Sequence, residues 1–269
     1  MADETDLIRD FTRDGMRVLV YGNRTSAGRA AGLEVARAIR QALSRQERVR
    51  MVFAAAPSQC EMLAALAQVP DLRWDRVTAF HMDEYIGIGP DHPASFAYFL
   101  QDQLFERVHP GCVHLIDGTR KPTDMAEVYT GLVSEAPIDI VCLGIGENGH
   151  LAFNDPGVAR FDDPVIMKEV NLDEACRLQQ VHDGCFPRLA DVPERALTLT
   201  IPALLAARTL ICTVPGQRKR TAVGAALCLP VDERVPATSL RTHPDVSLYL
   251  DAESGADFLV PCREPDHRG

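Results

Sequence analysis

Short apolar runs alternate with amphipathic stretches along most of this chain. Runs at 16–21 (MRVLVY), 49–56 (VRMVFAAA), 74–80, 113–116, 138–143, 209–214 and 247–250 predict strands. Several are apolar throughout and rich in β-branched residues, which is the pattern of strands buried on both faces of a parallel sheet. The intervening spacing predicts helices at 59–68, 95–105, 124–134, 202–207 and 218–227. Another helix is expected from a Thr25 or Ser26 cap to about Ser44, with Ala30, Leu33, Val35, Ala36, Ile39 and Leu43 near helical spacing. Residues 197–201 read either as a strand or as the lead into the next helix. The alternation of strand and helix, with no repeat and no linker, predicts the α/β class: an open, mainly parallel sheet with helices on both faces, as one domain over 1–269. Two stretches break the pattern. Residues 1–15 read as a loose leader. Residues 157–195 are polar and interrupted by Pro164, Pro187 and Pro193, and a loop of that length is expected to be functional, as a lid.

Composition narrows the function. The chain has 269 residues, is 46% hydrophobic and carries a formal charge of −10. That balance argues against a general nucleic-acid binder, though not against a local basic pocket for an anionic metabolite. No apolar run approaches the ~18 residues of a membrane span. The start, MADETDLIRDFTRDG, lacks a signal peptide's apolar core. The eight cysteines form no CxxC pair, and several sit in apolar strand-like runs, so reduced thiols and a cytoplasmic setting are expected. No zinc-type spacing and no HExxH is found, and neither a metal nor another cofactor is expected.

The candidate chemistry lies where predicted strands end. LGIGENGHLAFNDP at 143–156 follows one strand and brings glycines, His150, Glu147, Asp155, Asn148 and Asn154 together. Ligands of open α/β sheets bind beyond the carboxyl ends of strands, and a histidine among acids there is a candidate general acid/base. The plainer reading is a glycine-rich turn with a surface histidine. Asp83 and Glu84 end another strand, where adjacent carboxylates point in different directions; binding a neighbouring loop is their plainer role. Ser58 and Gln59 stand at a helix start that offers backbone N–H groups to a phosphate, the alternative being a simple serine cap. Lys219 lies in the run Arg218-Lys219-Arg220, which on spacing alone reads as solvated charge. Of the other histidines only His182, inside 157–195, draws attention.

HMDEY at 81–85, GIGENGHLAFNDP at 144–156, VPGQRKRTAV at 214–223 and PATSLRTHPDVSLYLD at 236–251 together resemble the glucosamine-6-phosphate deaminase (isomerase) family, which is related to the 6-phosphogluconolactonases. The resemblance runs roughly from Val18 to Asp251, and the AAAPSQ and GENGH motifs resemble a divergent branch. It implies that Asp83 shuttles the proton between C2 and C1, with Glu84 its structural neighbour and one of the substrate-binding residues. It also implies that His150 opens the sugar ring, with Asp155 in the place of a supporting glutamate. Gly149 and Gln59 belong to the substrate loops, and Arg177 and Lys219 match basic residues that hold phosphate or sugar. Three departures stand out. Asn148, grouped with the catalytic residues, replaces a usual aspartate, Asp155 is one methylene short, and Ala55-Ala56-Pro57-Ser58-Gln59 replaces a Gly/Thr-rich turn. The implied activity converts glucosamine 6-phosphate to fructose 6-phosphate and ammonia without a cofactor. Lactone hydrolysis and a non-catalytic sugar-phosphate sensor are the alternatives. A small sugar phosphate is the expected partner, with nucleic acid and membrane not expected and a homo-oligomer left open.

Overall fold

The computed structural model describes residues 6–260. The chain begins with β1 (Leu7–Arg13), β2 (Met16–Tyr21), α1 (Arg24–Leu43), β3 (Val49–Phe53), α2 (Cys60–Ala67), β4 (Val77–His81) and β5 (Asp83–Tyr85). It continues through α3 (Phe96–Leu100), α4 (Glu106–Val108), β6 (Cys112–His114), α5 (Pro122–Ser134), β7 (Ile140–Leu143), β8 (Met167–Asn171) and α6 (Glu174–His182). The last elements are β9 (Arg195–Leu199), α7 (Ile201–Leu205), β10 (Thr209–Val214), α8 (Arg220–Cys228) and β11 (Val246–Asp251). The large sheet runs β1-β2-β11-β10-β7-β3-β4-β6, and within it only the edge pair β1–β2 is antiparallel. Strand β7 shows why the apolar runs are continuous. Ile140 and Cys142 enter the core on one face and Val141 and Leu143 the core on the other, so no position is left for a polar side chain.

Helix α1 packs on α2 at a distance only glycine allows. A Cβ on Gly28 would lie 2.4 Å from Glu61 Cβ, and one on Gly32 2.7 Å from the Met62 carbonyl oxygen. These glycines are one helical turn apart and so share one face. The cap of α1 is Asn23, whose side chain accepts from the Ser26 backbone N–H at 2.9 Å, and not Thr25 or Ser26. Trp74–Arg76 is a 3-10 turn, so that strand starts at Val77. The helix expected at 95–105 begins at its Ser95 cap and widens to a π-turn over Gln101–Phe105.

Two expectations are overturned. Residues 7–13 of the supposed leader form β1, paired along its length with β2; residues 1–5 lie outside the described residues. The 157–195 stretch is not irregular. It contains β8 and α6, and β8 joins β9 and β5 in a second, antiparallel sheet of order β5-β9-β8. After β4 the chain thus leaves the large sheet at Met82 and enters the small one at Asp83. Helix α6 escaped notice because it buries Gln179 and Gln180 beside Cys176, which leaves little apolar periodicity. The seven cysteines among the described residues are all free thiols, and no helix there is long and apolar enough to cross a membrane.

Candidate active site

A cleft of about 510 Å3, its mouth included, opens at the carboxyl ends of β3, β4, β7 and β10. The position is the crevice where open α/β sheets bind ligands. Asp83 and His150 both line it.

Asp83 enters from β5, opposite Thr198 of β9. Burial pushes its carboxyl well above the ordinary carboxylate range, and the neighbouring Glu84 adds to the shift. The rings of Phe96 and Phe153, stacked at 5.5 Å, form an apolar wall of the same cleft and help keep it dry. Successive strand residues face opposite ways, so Glu84 turns from the cleft. Its carboxylate accepts from Ser95 Oγ at 2.8 Å and from the backbone N–H groups of Ala97, Tyr85 and Phe96 at 2.9, 3.0 and 3.2 Å. It anchors the start of α3, and burial raises it to about 7 against those hydrogen bonds. The structure therefore corrects the substrate-binding role expected of Glu84.

The loop after β7 shapes itself around the imidazole of His150. The Gly146 N–H donates to the His150 carbonyl at 2.9 Å, and the His150 N–H donates to Asn148 Oδ1 at 3.0 Å. A Cβ on Gly146 would come within 2.2 Å of the ring, so this position is held to glycine. Nδ1 of His150 lies 3.0 Å from Oδ1 of the fully buried Asp155. That pairing favours the tautomer with its proton on Nδ1 and leaves Nε2 as an acceptor. Burial opposes ionisation of Asp155, but the His150 ring, the Asn148 amide and the Asp173 backbone N–H together hold its pKa below the usual value. Asn148 does not line the cleft: its Nδ2 donates to Asp155 Oδ1 at 3.0 Å and to Asp173 Oδ2 at 3.2 Å. It positions the carboxylate behind the histidine, which its sequence position alone does not reveal.

Ser58 and Gln59 line the opposite wall, after β3. Ser58 makes no capping bond to the helix; its hydroxyl accepts from Gln59 Nε2 at 3.1 Å, and the same amide donates to the Thr213 carbonyl at 3.1 Å. Lys219, on a 3-10 turn ahead of α8, is buried in this wall. Desolvation lowers its pKa, and the nearby Asp183 and Glu147 oppose that shift. Its expected solvated alternative is thereby excluded. Arg177 does not reach the cleft. Its Nη2 donates to the carbonyls of Leu189 and Val192 at 2.9 and 3.0 Å, so it ties the 189–192 turn to α6. Gly149 likewise stands outside the lining, at φ +87° with its carbonyl accepting from the Ala237 N–H at 2.8 Å.

Sequence reasoning missed the contribution of α6. Gln179 and Gln180 line the cleft, and Gln179 Oε1 accepts from the Glu147 N–H at 2.8 Å, binding the helix to the histidine loop. His182 stands 3.5 Å from the Glu147 carboxylate rather than at the cleft. Polar side chains on a polar segment carry no periodic signal by which they could have been picked out.

Comparison with known proteins identifies the family and the fold. The family model described as glucosamine-6-phosphate isomerases/6-phosphogluconolactonase matches residues 23–248. The glucosamine-6-phosphate deaminase of Streptococcus pneumoniae serotype 4 is 35% identical over 186 residues, covering 68% of this chain and 77% of that protein. A monomeric glucosamine-6-phosphate deaminase of solved structure superposes with a TM-score of 0.81 at 26% identity, covering 89% of this chain and 98% of its own. The 6-phosphogluconolactonase of Trypanosoma brucei shares the fold, with a TM-score of 0.76 at 18% identity over 92% of this chain and all of its own. With the family model spanning both halves of the cleft, this chain belongs to the glucosamine-6-phosphate isomerase/6-phosphogluconolactonase family of enzymes.

Proposed function

We propose that this enzyme isomerises and deaminates an aminohexose 6-phosphate, converting glucosamine 6-phosphate and water to fructose 6-phosphate and ammonia. The observation that carries the reading is the meeting of Asp83 and His150 on one cleft, with the acid desolvated and the imidazole braced by Asp155. His150 Nε2 takes the proton of the C1 hydroxyl and returns it to the ring oxygen, which opens the sugar. Asp83, made more basic by burial, removes the C2 proton and delivers it to C1. The enolamine thus becomes an iminium at C2, water adds there, and ammonia leaves. Lys219 and the Ser58 hydroxyl supply cationic and hydroxyl donors for the phosphate. Helix α6, held over the cleft through Gln179, serves as the cap that excludes water. Free thiols throughout the described residues support a cytoplasmic setting.

A coupled assay for ammonia and fructose 6-phosphate tests this. Wild type should form both in equal amounts, and Asp83→Asn should lose at least ~10^3-fold in kcat, since among the described residues no other carboxylate lines the cleft. Lactonase activity that survives Asp83→Asn would replace the proposal with lactone hydrolysis. Thermal stabilisation by a sugar phosphate without product would replace it with a sensor.

A further inference from the structure

Behind the catalytic histidine lies a group of atoms that proton transfer does not account for. Asp155 Oδ2 is buried and lacks a hydrogen-bond partner, while Asp155 Oδ1 takes up His150 Nδ1 at 3.0 Å. An oxygen such as Oδ2 is costly to leave unsatisfied in an interior. Cys176 comes up against this pair from helix α6, a free thiol that is 1% exposed. One donor atom from each of His150, Asp155 and Cys176 lies within 4.8 Å of the others. An imidazole nitrogen, a carboxylate oxygen and a thiolate are zinc's own ligand types, and three protein ligands with one position open is the arrangement of an accessible zinc site. The charges also match, because one carboxylate and one thiolate neutralise a divalent ion and make it tolerable out of water. The ligands are already braced. Asn148 Nδ2 holds Asp155 Oδ1 at 3.0 Å, and Asp173, whose Oδ1 accepts from the Cys176 N–H at 2.6 Å, fixes the start of α6.

We propose that His150, Asp155 and Cys176 form an inhibitory zinc site. Binding releases the Cys176 thiol proton to solvent. Coordination at His150 Nδ1 moves the ring's proton to Nε2, where it faces the cleft. The imidazole is then a donor only and cannot accept the proton of a sugar hydroxyl, so ring opening stops. Sequence spacing hides this site because Cys176 stands 26 positions after His150, on a separate helix. The inhibition rests on the role of His150 in the deaminase reading; the binding does not.

The test uses the full chain, stripped with a chelator and titrated with Zn2+ by calorimetry and with Co2+ by absorption. Wild type should bind one equivalent of Zn2+, show a thiolate-to-cobalt charge-transfer band in the near ultraviolet, and lose ammonia release until a chelator restores it. Cys176→Ala should lose the band and weaken Zn2+ binding by ~100-fold or more, since one of three protein ligands is gone. Circular dichroism and melting of the variant verify that it folds, and His150→Ala gives a second variant expected to weaken binding likewise. Wild type that binds no Zn2+ at micromolar concentrations overturns the proposal. So does a band that persists in Cys176→Ala, which would put the ion on other thiols such as Cys112, 3.3 Å from His114 Nε2. Stoichiometric binding with full ammonia release would refute the inhibitory role. Binding and band in a protein with no deaminase activity would uphold the site and reject the reaction alone.

Discussion

Replacing Gly146 with alanine puts a single methyl group where the imidazole of His150 now packs. The added carbon would stand 2.2 Å from ring atoms Cε1 and Nε2 and 2.4 Å from Cδ2. Carbon atoms rest at ~3.5–4.0 Å, so the ring must retreat by about 1.3 Å or more. It cannot retreat freely, because Asp155 lies 3.0 Å behind Nδ1 and is itself fully buried. A misplacement near 1 Å in a reacting group costs roughly 10^2-fold in rate, and overpacking of this kind costs ~1–3 kcal/mol of stability. The expected result for Gly146→Ala is therefore a kcat lowered ~100-fold, with KM changed much less because Ser58 and Lys219 on the far wall are untouched. The melting temperature should fall by roughly 2–10 °C for a chain of this size. The assay is steady-state ammonia release with glucosamine 6-phosphate, run beside a thermal melt. A variant within threefold of wild type in kcat would mean that the ring does not work from this position, and the assignment of His150 would fail with it.

Two further outcomes follow from groups that do not line the cleft. Burial raises Glu84 to about 7 from 4.5, so between those values the folded chain holds a proton that the unfolded chain has released. Its contribution to stability is full below pH ~4.5 and is lost as pH rises through 7, an effect of up to about 3 kcal/mol. Urea unfolding at pH 5 and pH 7.5 should show this loss in wild type and a smaller one in Glu84→Gln. Equal losses in both proteins would assign the effect to Asp83, whose pKa is shifted in the same direction. Arg177→Ala should destabilise by ~1–3 kcal/mol through the freed carbonyls of Leu189 and Val192, with little change in KM. A tenfold rise in KM without loss of stability would return Arg177 to the substrate.

Much of the large sheet was legible because its central strands are apolar on both faces; Ile140–Leu143 leaves no doubt about its environment. Strand β1 was not, since its alternating LIRDFTR is half exposed at the sheet edge. The small sheet was missed for a related reason: Met167–Asn171 has two buried positions in five. In the site, Asp83 and His150 stood out through their place at strand ends, and Lys219 through resemblance. Asn148 and Arg177 were misjudged because a residue's type does not disclose which way it faces. Asn148 turned out to brace a carboxylate, and Arg177 to brace a turn. Gln179, Gln180 and Cys176 sit on a helix whose inward face is polar, so hydrophobic periodicity had nothing to report there.

Strand β9 touches both halves of the chemistry. Asp83 pairs with Thr198, while the Phe153 N–H donates to Thr198 Oγ1 at 3.1 Å and Asn154 Nδ2 to the Leu199 carbonyl at 2.8 Å. Base and imidazole are thus hung from a common bracket two residues long, and their separation is gauged across it rather than across eight strands. In remodelling this scaffold for other sugars, the outer strands are free material and the Thr198–Leu199 pair is the datum to preserve.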